Sequence, residues 1–246
     1  EEKARGVAFF SLEMSADQLA TRVLSSAAAI SSQKMRNGDI DNGEFERIAA
    51  CVRMLEKMPL YIDDTPGLTI NAIRNRARRL KRSKGLGLIV IDYIQLITGN
   101  ASRGEANRVQ ELSEISRGLK IMAKELNVPV IALSQLNRGV EMRDDKRPVM
   151  SDLRESGSIE QDADIVLFVY RENYYIQNEE PKETDKNYSP EKHDKWEARM
   201  QATRHRADVI IGKHRHGPTG TVKLGWQGEY ALFTDPLSKT GGEKCT

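Results

Sequence analysis

Short apolar runs rich in β-branched residues alternate with longer helical patterns along this 246-residue chain. Most of these runs are too short for a buried helix, so they predict buried strands. Strands that alternate with helices predict an α/β fold built on a mostly parallel sheet flanked by helices. The predicted strands are Val7–Ser11, Leu60–Ile62, Leu88–Ile91, Val128–Leu133, Ile165–Tyr170 and Asp208–Ile211.

Local signals mark two of the helices. Ser15 is placed to cap a helix and Gln18 completes a capping box, so the first helix is predicted to begin at about Ala16. A later apolar stripe with spacings of three and four predicts a long helix that packs on the sheet and ends near Asn127. That stripe consists of Leu112, Ile115, Leu119, Met122 and Leu126.

A third helical pattern has a strongly basic outer surface. Its apolar stripe consists of Ile70, Ile73, Ala77 and Leu80, and its basic residues are Arg74, Arg76, Arg78, Arg79, Lys81 and Arg82. Two interpretations are open: an ordinary solvated helix face, or an electrostatic surface for DNA or a neighbouring subunit.

The overall charge does not identify a partner. With 38 basic and 36 acidic residues the net charge is +2, so any contact with nucleic acid must come from a local patch. Cys51 and Cys245 lie far apart, and no leader or apolar run of membrane-spanning length is present. We therefore expect a reduced, soluble, cytoplasmic protein without a membrane partner.

Residues 173–206 are polar and lack a sustained apolar period. They predict an exposed insertion between two strands, with a short helix around Lys192–Gln201. The acidic and basic side chains of this stretch balance, which makes it a poor phosphate-binding patch. We expect one domain over residues 1–236 and a flexible tail over 237–246.

Two carboxylates follow predicted strands, where ligands bind to open parallel sheets. Asp92 can orient water around Mg²⁺ on the β,γ-phosphates of a nucleotide, or it can cap the next loop. Glu13 can polarise an attacking water, or it can favour the N-terminus of the next helix. If both strands belong to one sheet, the two carboxylates converge on one edge.

Gln135 follows the predicted strand Val128–Leu133, and a long loop follows Gln135. Its amide can sense a γ-phosphate and relay the loss of that phosphate to the loop, although an ordinary turn fits equally well. Within the loop, Arg154 can pair with a phosphate oxygen and Gly157 lets backbone approach a nucleic-acid strand closely.

Lys213 and Arg215 lie where the last predicted strand turns sharply. A pair of cations on a rigid turn can enter a neighbouring active site and neutralise charge on a transferring γ-phosphoryl group, or it can be a plain basic turn. His214 and His216 have no cysteine or carboxylate partner at ligand spacing, so we expect no zinc site.

Taken together, five blocks in this order resemble the C-terminal motor domain of the DnaB-type bacterial replicative helicases. The blocks are FFSLEM, LIVIDYIQL, EISRGLKIMAKELNVPVIALSQLNR, DKRPVMSDLRESGSIEQDAD and IGKHRHGPTGTV. The resemblance covers about Val7 to Phe233 apart from the insertion. The last two blocks argue against other RecA-like ATPases such as recombinases.

The resemblance implies a RecA-like fold and a homohexameric ring with ATP and Mg²⁺ at the subunit interfaces. Glu13 then resembles the residue that activates water, and Asp92 the Walker B acid associated with Mg²⁺. Gln135 resembles the γ-phosphate sensor, while Lys213 and Arg215 resemble finger residues donated to the adjacent subunit.

The resemblance also implies partners. Arg154, Glu155 and Gly157 fall on the loop that holds the backbone of single-stranded DNA in this family. Primase and a helicase loader are the family's protein partners, and they bind through parts that this sequence largely lacks.

One family motif is missing, because nothing in the chain matches G-x-x-x-x-G-K-[ST]. We therefore expect a truncated motor domain whose sheet lacks the phosphate-loop strand and which is inactive alone. Two functions stay open: a helicase motor that couples ATP hydrolysis to movement on single-stranded DNA, and a non-catalytic relative that keeps the DNA-binding loop or ring interface. ATP binding by this chain separates them.

Overall fold

Four parallel strands form the central sheet of the first part of the chain. They are β1 (Gly6–Ser11), β2 (Leu60–Asp63), β3 (Leu86–Asp92) and β4 (Val130–Ala132). They lie in the order β2-β1-β3-β4 and coincide with the first four predicted runs, which confirms the parallel sheet.

The structure is a computed structural model and describes residues 5–99, 105–182, 184 and 188–236. For residues 105–107 and 154–157 it describes the backbone alone. The described residues form two compact units. The first comprises those within Glu1–Arg138 and Met150–Ala163, and the second those within Gly139–Val149 and Asp164–Thr246.

Three helices connect β1 to β2: α1 (Ala16–Ala28), α2 (Ser32–Asn37) and α3 (Asn42–Leu55). The predicted capping box is present at α1. The Ser15 hydroxyl accepts from the Gln18 amide, and the Gln18 side chain accepts from the Ser15 amide at 3.3 Å. These bonds satisfy two donors that a helix N-terminus otherwise leaves unpaired, and they fix where the chain turns after β1.

Two long helices, α4 (Ile70–Lys84) and α5 (Glu105–Leu126), bury apolar stripes in the core of the first unit. The five predicted residues of α5 are all buried, as are Ile73 and Ala77 of α4. They pack with Ile89 and Ile91 of β3. Complete burial of one such aliphatic side chain contributes about 1.5–3 kcal/mol, so these stripes hold the helices on the sheet.

Part of the basic surface of α4 is used within the first unit. Arg76 pairs with Asp63 of β2 at 2.6 Å, Arg78 pairs with Glu125, and Lys81 donates to a backbone carbonyl at the end of α5. These contacts tie α4 to its neighbours, which favours the interpretation of an ordinary helix face for these three side chains.

The second unit contains an antiparallel sheet. Its strands β5 (Ile165–Tyr170), β6 (Arg206–His214), β7 (Gly220–Gln227) and β8 (Leu232–Thr234) lie in sequence order. The last two predicted runs are therefore strands, but they pair with each other in antiparallel fashion and lie outside the parallel sheet. The short turn from β6 to β7 permits only antiparallel pairing, since a parallel pair needs a long crossover.

The stretch 173–206 is more packed than the sequence predicts. After α6 (Gly157–Asp162) of the first unit, it forms α7 (Glu172–Gln177) and α8 (Pro190–Thr203), and α8 contains the predicted helix. Ile176 and Asn173 are buried, and the Trp196 indole donates to the Ile176 carbonyl at 2.8 Å. Because α8 supplies partners for α7, polar residues can be buried here without loss of hydrogen bonds.

The tail 237–246 lies outside the described residues. Among the described helices, none has both the length and the apolar character needed to cross a membrane.

Candidate nucleotide site and DNA-contacting loop

Glu13 and Asp92 follow neighbouring strands of the parallel sheet. Ser11 of β1 lies opposite Asp92 of β3, and the Leu12 amide donates to the Asp92 carbonyl at 2.7 Å. The Ser11 hydroxyl then donates to the Met14 carbonyl at 2.7 Å, which fixes the turn that carries Glu13. The predicted convergence of the two carboxylates on one sheet edge is therefore observed.

The electrostatics of Asp92 reflect this arrangement. Burial raises the pKa of the Asp92 carboxyl above its usual value, the negative charge of Glu13 raises it further, and Arg22 of α1 opposes the rise. Asp92 and Glu13 carry like charges at a partly buried edge of the sheet. A divalent cation at this edge would stabilise the ionised forms of the two carboxylates.

The acids fit a magnesium ion that is shared with a ligand. Within the described part of the chain, no group of three or more His, Cys, Asp or Glu side chains is arranged to hold a metal ion. Mg²⁺ commonly binds through one or two carboxylates, with phosphate oxygens and water at its other positions. Asp92 supplies one such carboxylate, and Glu13 lies close enough to affect its charge.

Gln135 lies just past β4, which neighbours β3 in the sheet. The connection is close, because the Leu133 amide donates to the Ile91 carbonyl at 2.9 Å and the Ile94 amide donates to the Leu133 carbonyl at 3.0 Å. The exposed side chain of Gln135 thus follows the strand next to Asp92. The structure places Glu13, Asp92 and Gln135 at or just past the carboxyl ends of three adjacent strands.

The predicted DNA-contacting residues fall on a helical segment of the first unit. Arg154 and Glu155 belong to a 3₁₀ segment, Met150–Ser156, and Gly157 begins α6 (Gly157–Asp162). The side chains of Arg154 and Glu155 and the surroundings of Gly157 lie outside the described structure.

The segment is anchored on both sides of these residues. Asp152 and Leu153 are buried, and the Asn137 amide donates to the Asp152 carbonyl at 3.0 Å. Ser116 of α5 donates to the carboxylate of Asp162 at the end of α6. Anchors on either side define the backbone path of the candidate DNA loop.

Lys213 and Arg215 belong to the second unit, at the end of β6. Arg215 donates from its backbone amide to the Asp164 carbonyl at 2.8 Å and from its guanidinium to the Asp164 carboxylate at 3.0 Å. Both side chains of this ion pair are about half exposed, at 47% and 51%. The backbone bond fixes the root of Arg215, while the exposed guanidinium is held only weakly.

The turn after Arg215 is tight. A Cβ atom on Gly217 would lie 2.2 Å from Nδ1 of His214, so a larger residue here would require the His214 ring to move. The His214 ring therefore packs on the turn.

Comparison with known proteins decides the family. A model of the DnaB-like helicase C-terminal domain matches residues 1–235. The chain belongs to the DnaB-like helicase C-terminal domain family. The replicative DNA helicase DnaB of Rickettsia bellii is 52% identical over 238 residues, which are 97% of this chain and 47% of that protein. The chain thus spans about half the length of the curated DnaB relatives that it matches.

Solved structures agree with this family assignment. An ATPase domain superposes with a TM-score of 0.79 at 37% identity, covering 94% of this chain and 75% of that domain. A DnaB-like replicative helicase, described with its interactions with primase, gives the same TM-score at 36% identity and covers 94% of this chain and 51% of its own. The DnaB-like, RecA-like fold is confirmed.

Sequence reasoning missed two residues of this DnaB-like site. Arg22 of α1 opposes the rise in the pKa of Asp92. Gln95 contacts the backbone of Gln135 through its side-chain amide. Arg22 lies in the second turn of the helix that follows Glu13, and this position in the sequence could have identified it. Gln95 is the polar residue between Ile94 and Leu96 in the LIVIDYIQL block, and a polar residue at this position could have been recognised as a candidate.

Proposed function

We propose that this chain is the motor part of a replicative DNA helicase, in which ATP hydrolysis drives translocation on single-stranded DNA and unwinding of the duplex. The observation that carries this proposal is the convergence of Glu13 and Asp92 on the edge of the parallel sheet, where the charge of Glu13 contributes to the raised pKa of the Asp92 carboxyl. Membership of the DnaB-like family supports it.

The proposed roles follow from the chemistry of each group. Asp92 would hold Mg²⁺ through its water shell, and the bound ion would neutralise phosphate charge during hydrolysis. Glu13 orients and polarises the attacking water. The Gln135 amide donates a hydrogen bond to the γ-phosphate, so it reports whether that phosphate is present.

The second unit supplies cations in the proposed assembly. Lys213 and Arg215 of one subunit neutralise the charge that develops on the γ-phosphoryl group bound by its neighbour, as finger residues do in other phosphoryl-transfer proteins. This role requires a ring of copies, and we propose a homohexamer. Arg154, Glu155 and Gly157 hold the single-stranded DNA backbone, while primase and a loader bind the longer helicase in the cytoplasm.

A chimera allows these roles to be tested. In it, the N-terminal part of the Rickettsia bellii relative, up to the start of the aligned region, precedes this chain, as the 52% identity of the shared region favours compatible packing. The relative's part would supply a phosphate-binding loop if it carries one, which its sequence reveals directly.

In the chimera, Glu13→Gln and Asp92→Asn should each lower ATP hydrolysis by roughly 10²–10⁴-fold, because both changes keep the shape and remove only the charge. Steady-state phosphate release measures the effect. Glu229→Gln, at an exposed position of the second unit, is the control and should keep wild-type activity. Near-normal hydrolysis by either test variant would refute the catalytic role of that residue.

A second function is supported by one specific observation, the absence of G-x-x-x-x-G-K-[ST] from these 246 residues. The backbone amides and lysine of such a loop make many of the phosphate contacts in related sites. On this alternative, the chain binds DNA or forms a ring interface without nucleotide turnover.

We expect the isolated 246-residue chain to bind ATP weakly or not at all, since Glu13, Asp92 and Gln135 address the metal, the water and the γ-phosphate but cannot replace the loop. Calorimetric titration with ATP and Mg²⁺ measures this. Micromolar affinity of the monomeric chain would contradict the expectation and remove the support for the second function.

A further inference from the structure

One side chain holds both backbone polar groups of Gln135. Gln95 lies in a 3₁₀ turn, Ile94–Leu96, directly after β3. Its Nε2 atom donates to the Gln135 carbonyl at 3.2 Å and to the Ser134 hydroxyl at 3.0 Å. Its Oε1 atom accepts from the Gln135 amide at 3.3 Å. The Gln95 amide therefore pairs with Gln135 in the way that a neighbouring strand would.

The backbone of Gln95 is itself fixed from the opposite direction. Arg108 of α5 donates to the Gln95 carbonyl and forms an ion pair with Glu111. Glu111 in turn accepts from the Gly99 amide at 2.6 Å. A Cβ atom on Gly99 would lie 2.1 Å from Glu111 Oε1, so only glycine allows this close approach. The backbone from Gln95 to Gly99 is thus held at both of its ends.

These contacts connect Gln135 to Asp92. Gln95 follows Asp92 by three residues, and the Ile94 amide between them donates to the Leu133 carbonyl beside β4. The connection leaves the side chain of Gln135 exposed while its backbone is held. A backbone held in this way fixes the point from which the side-chain amide of Gln135 extends, which limits the positions that a ligand-sensing amide can reach.

We propose that Gln95 is the positioning residue of the γ-phosphate sensor. It fixes the Gln135 backbone relative to Asp92, so that the distance between the sensing amide and the metal-holding carboxylate is set before ATP binds. This inference rests on the proposed function, in which Gln135 contacts the γ-phosphate. Loss of Gln95 then weakens the discrimination of ATP from ADP while Gln135 itself is intact.

The contact is tested first in the 246-residue chain. Gln95→Met keeps the length and volume of the side chain and removes its donor and acceptor. Hydrogen exchange of the Gln135 amide, followed by NMR, should then accelerate on the order of tenfold, because the amide loses its acceptor. Gln110→Ala, at an exposed position of α5, should leave that exchange unchanged. Equal protection of Gln135 in Gln95→Met and wild type would overturn the proposal.

The function of the contact is tested in the chimera through the ratio of affinities for ADP and for a non-hydrolysable ATP analogue. Gln95→Met and Gln135→Ala should each reduce the preference for the analogue on the order of tenfold, as expected for one lost polar contact, with ADP affinity unchanged. Gln95→Glu keeps the acceptor for the Gln135 amide and should restore part of the preference. Gln110→Ala should retain it in full.

The two possible failures are distinguishable. If Gln135→Ala leaves the ratio unchanged, the sensor role of Gln135 is wrong and the proposed function loses that element. If Gln135→Ala lowers the ratio and Gln95→Met does not, the positioning role of Gln95 is wrong and the sensor role stands. Thermal melting of each chimera checks folding, and Gln95→Glu provides the same comparison should Gln95→Met fail to assemble.

Discussion

The carboxyl group of Asp92 is held in surroundings that oppose its ionisation. Burial raises its pKa, and the charge of Glu13 adds to the rise more than Arg22 offsets it. Between the unfolded and folded pKa values, the folded chain binds more protons than the unfolded chain. The free energy of unfolding therefore falls as pH rises through that window. The loss of stability that comes from ionising Asp92 is fully present at neutral pH. A residue retained at such a cost is a candidate for function.

At the residue scale, we expect Asp92→Asn to raise the melting temperature of the isolated chain at neutral pH. The change removes the charge that burial and Glu13 penalise. The gain should shrink as pH falls from the raised folded pKa of Asp92 towards the ordinary pKa of an aspartate, because the folded wild-type carboxyl takes up its proton in that window. Thermal unfolding at several pH values measures it.

Asp144→Asn provides the comparison, since Asp144 is exposed. It should change the melting temperature little at neutral pH. An Asp92→Asn chain that melts at or below the wild-type temperature at neutral pH would show that the charge of Asp92 is compensated within the fold.

At the scale of elements, local sequence patterns predict where helices and strands form. They do not predict which distant strands pair. The four parallel strands, the capping box of α1 and the buried stripe of α5 follow from signals contained in short windows of sequence. The antiparallel pairing of β5 with β6 does not, because more than thirty residues separate Tyr170 from Asp208 and the apolar run of β5 has no directional signal.

The candidate site shows the same division. Glu13, Asp92 and Gln135 were predictable because each lies at or just past the carboxyl end of an apolar run. The contact of Gln95 with Gln135 joins residues forty positions apart, and the effect of Arg22 on Asp92 acts across seventy. Side-chain contacts of this kind depend on tertiary packing, which no spacing rule contains.

Residues 150–162 carry the proposed DNA contact. In the chimera, Arg154→Ala should weaken binding of single-stranded DNA and reduce the slope of log affinity against log salt by about 0.7, the value for one phosphate contact. Basal ATP hydrolysis should be spared. Fluorescence anisotropy with a labelled oligonucleotide at several salt concentrations measures both the affinity and its salt slope.

Arg47→Ala, at an exposed position of α3, matches this change in charge and should leave the salt slope unaltered. An Arg154→Ala chimera with the wild-type slope would place the phosphate contact elsewhere on the chain.

At the scale of the whole molecule, the residues of the proposed mechanism are divided between the two units. Glu13, Asp92 and Gln135 belong to the first unit, whereas Arg215 belongs to the second. The Arg215 guanidinium is paired with Asp164, but an exposed pair of this kind contributes only about 0–1 kcal/mol. Arg215 can therefore leave Asp164 for a triphosphate at small cost, which suits a residue donated to a neighbouring subunit.

Donation between subunits makes a specific prediction for mixed rings of the chimera. Arg215→Ala alone should lower hydrolysis by roughly 10³–10⁵-fold with little effect on nucleotide binding, because its charge matters most as the phosphoryl group departs. Asp92→Asn alone should also be inactive. In rings that contain both variants, some interfaces combine an intact Asp92 from one subunit with an intact Arg215 from the next, so part of the activity should return.

Phosphate release from rings whose mixed composition is verified by native mass spectrometry measures this recovery. A ring whose sites must all hydrolyse ATP in sequence would also show no recovery of activity. Titration of wild-type subunits with Arg215→Ala subunits separates that case. In such a ring, activity falls far more steeply than the fraction of intact interfaces. If activity in that titration instead follows the fraction of intact interfaces and the mixed variants still show no recovery, Arg215 acts within its own subunit and the proposed donation is wrong.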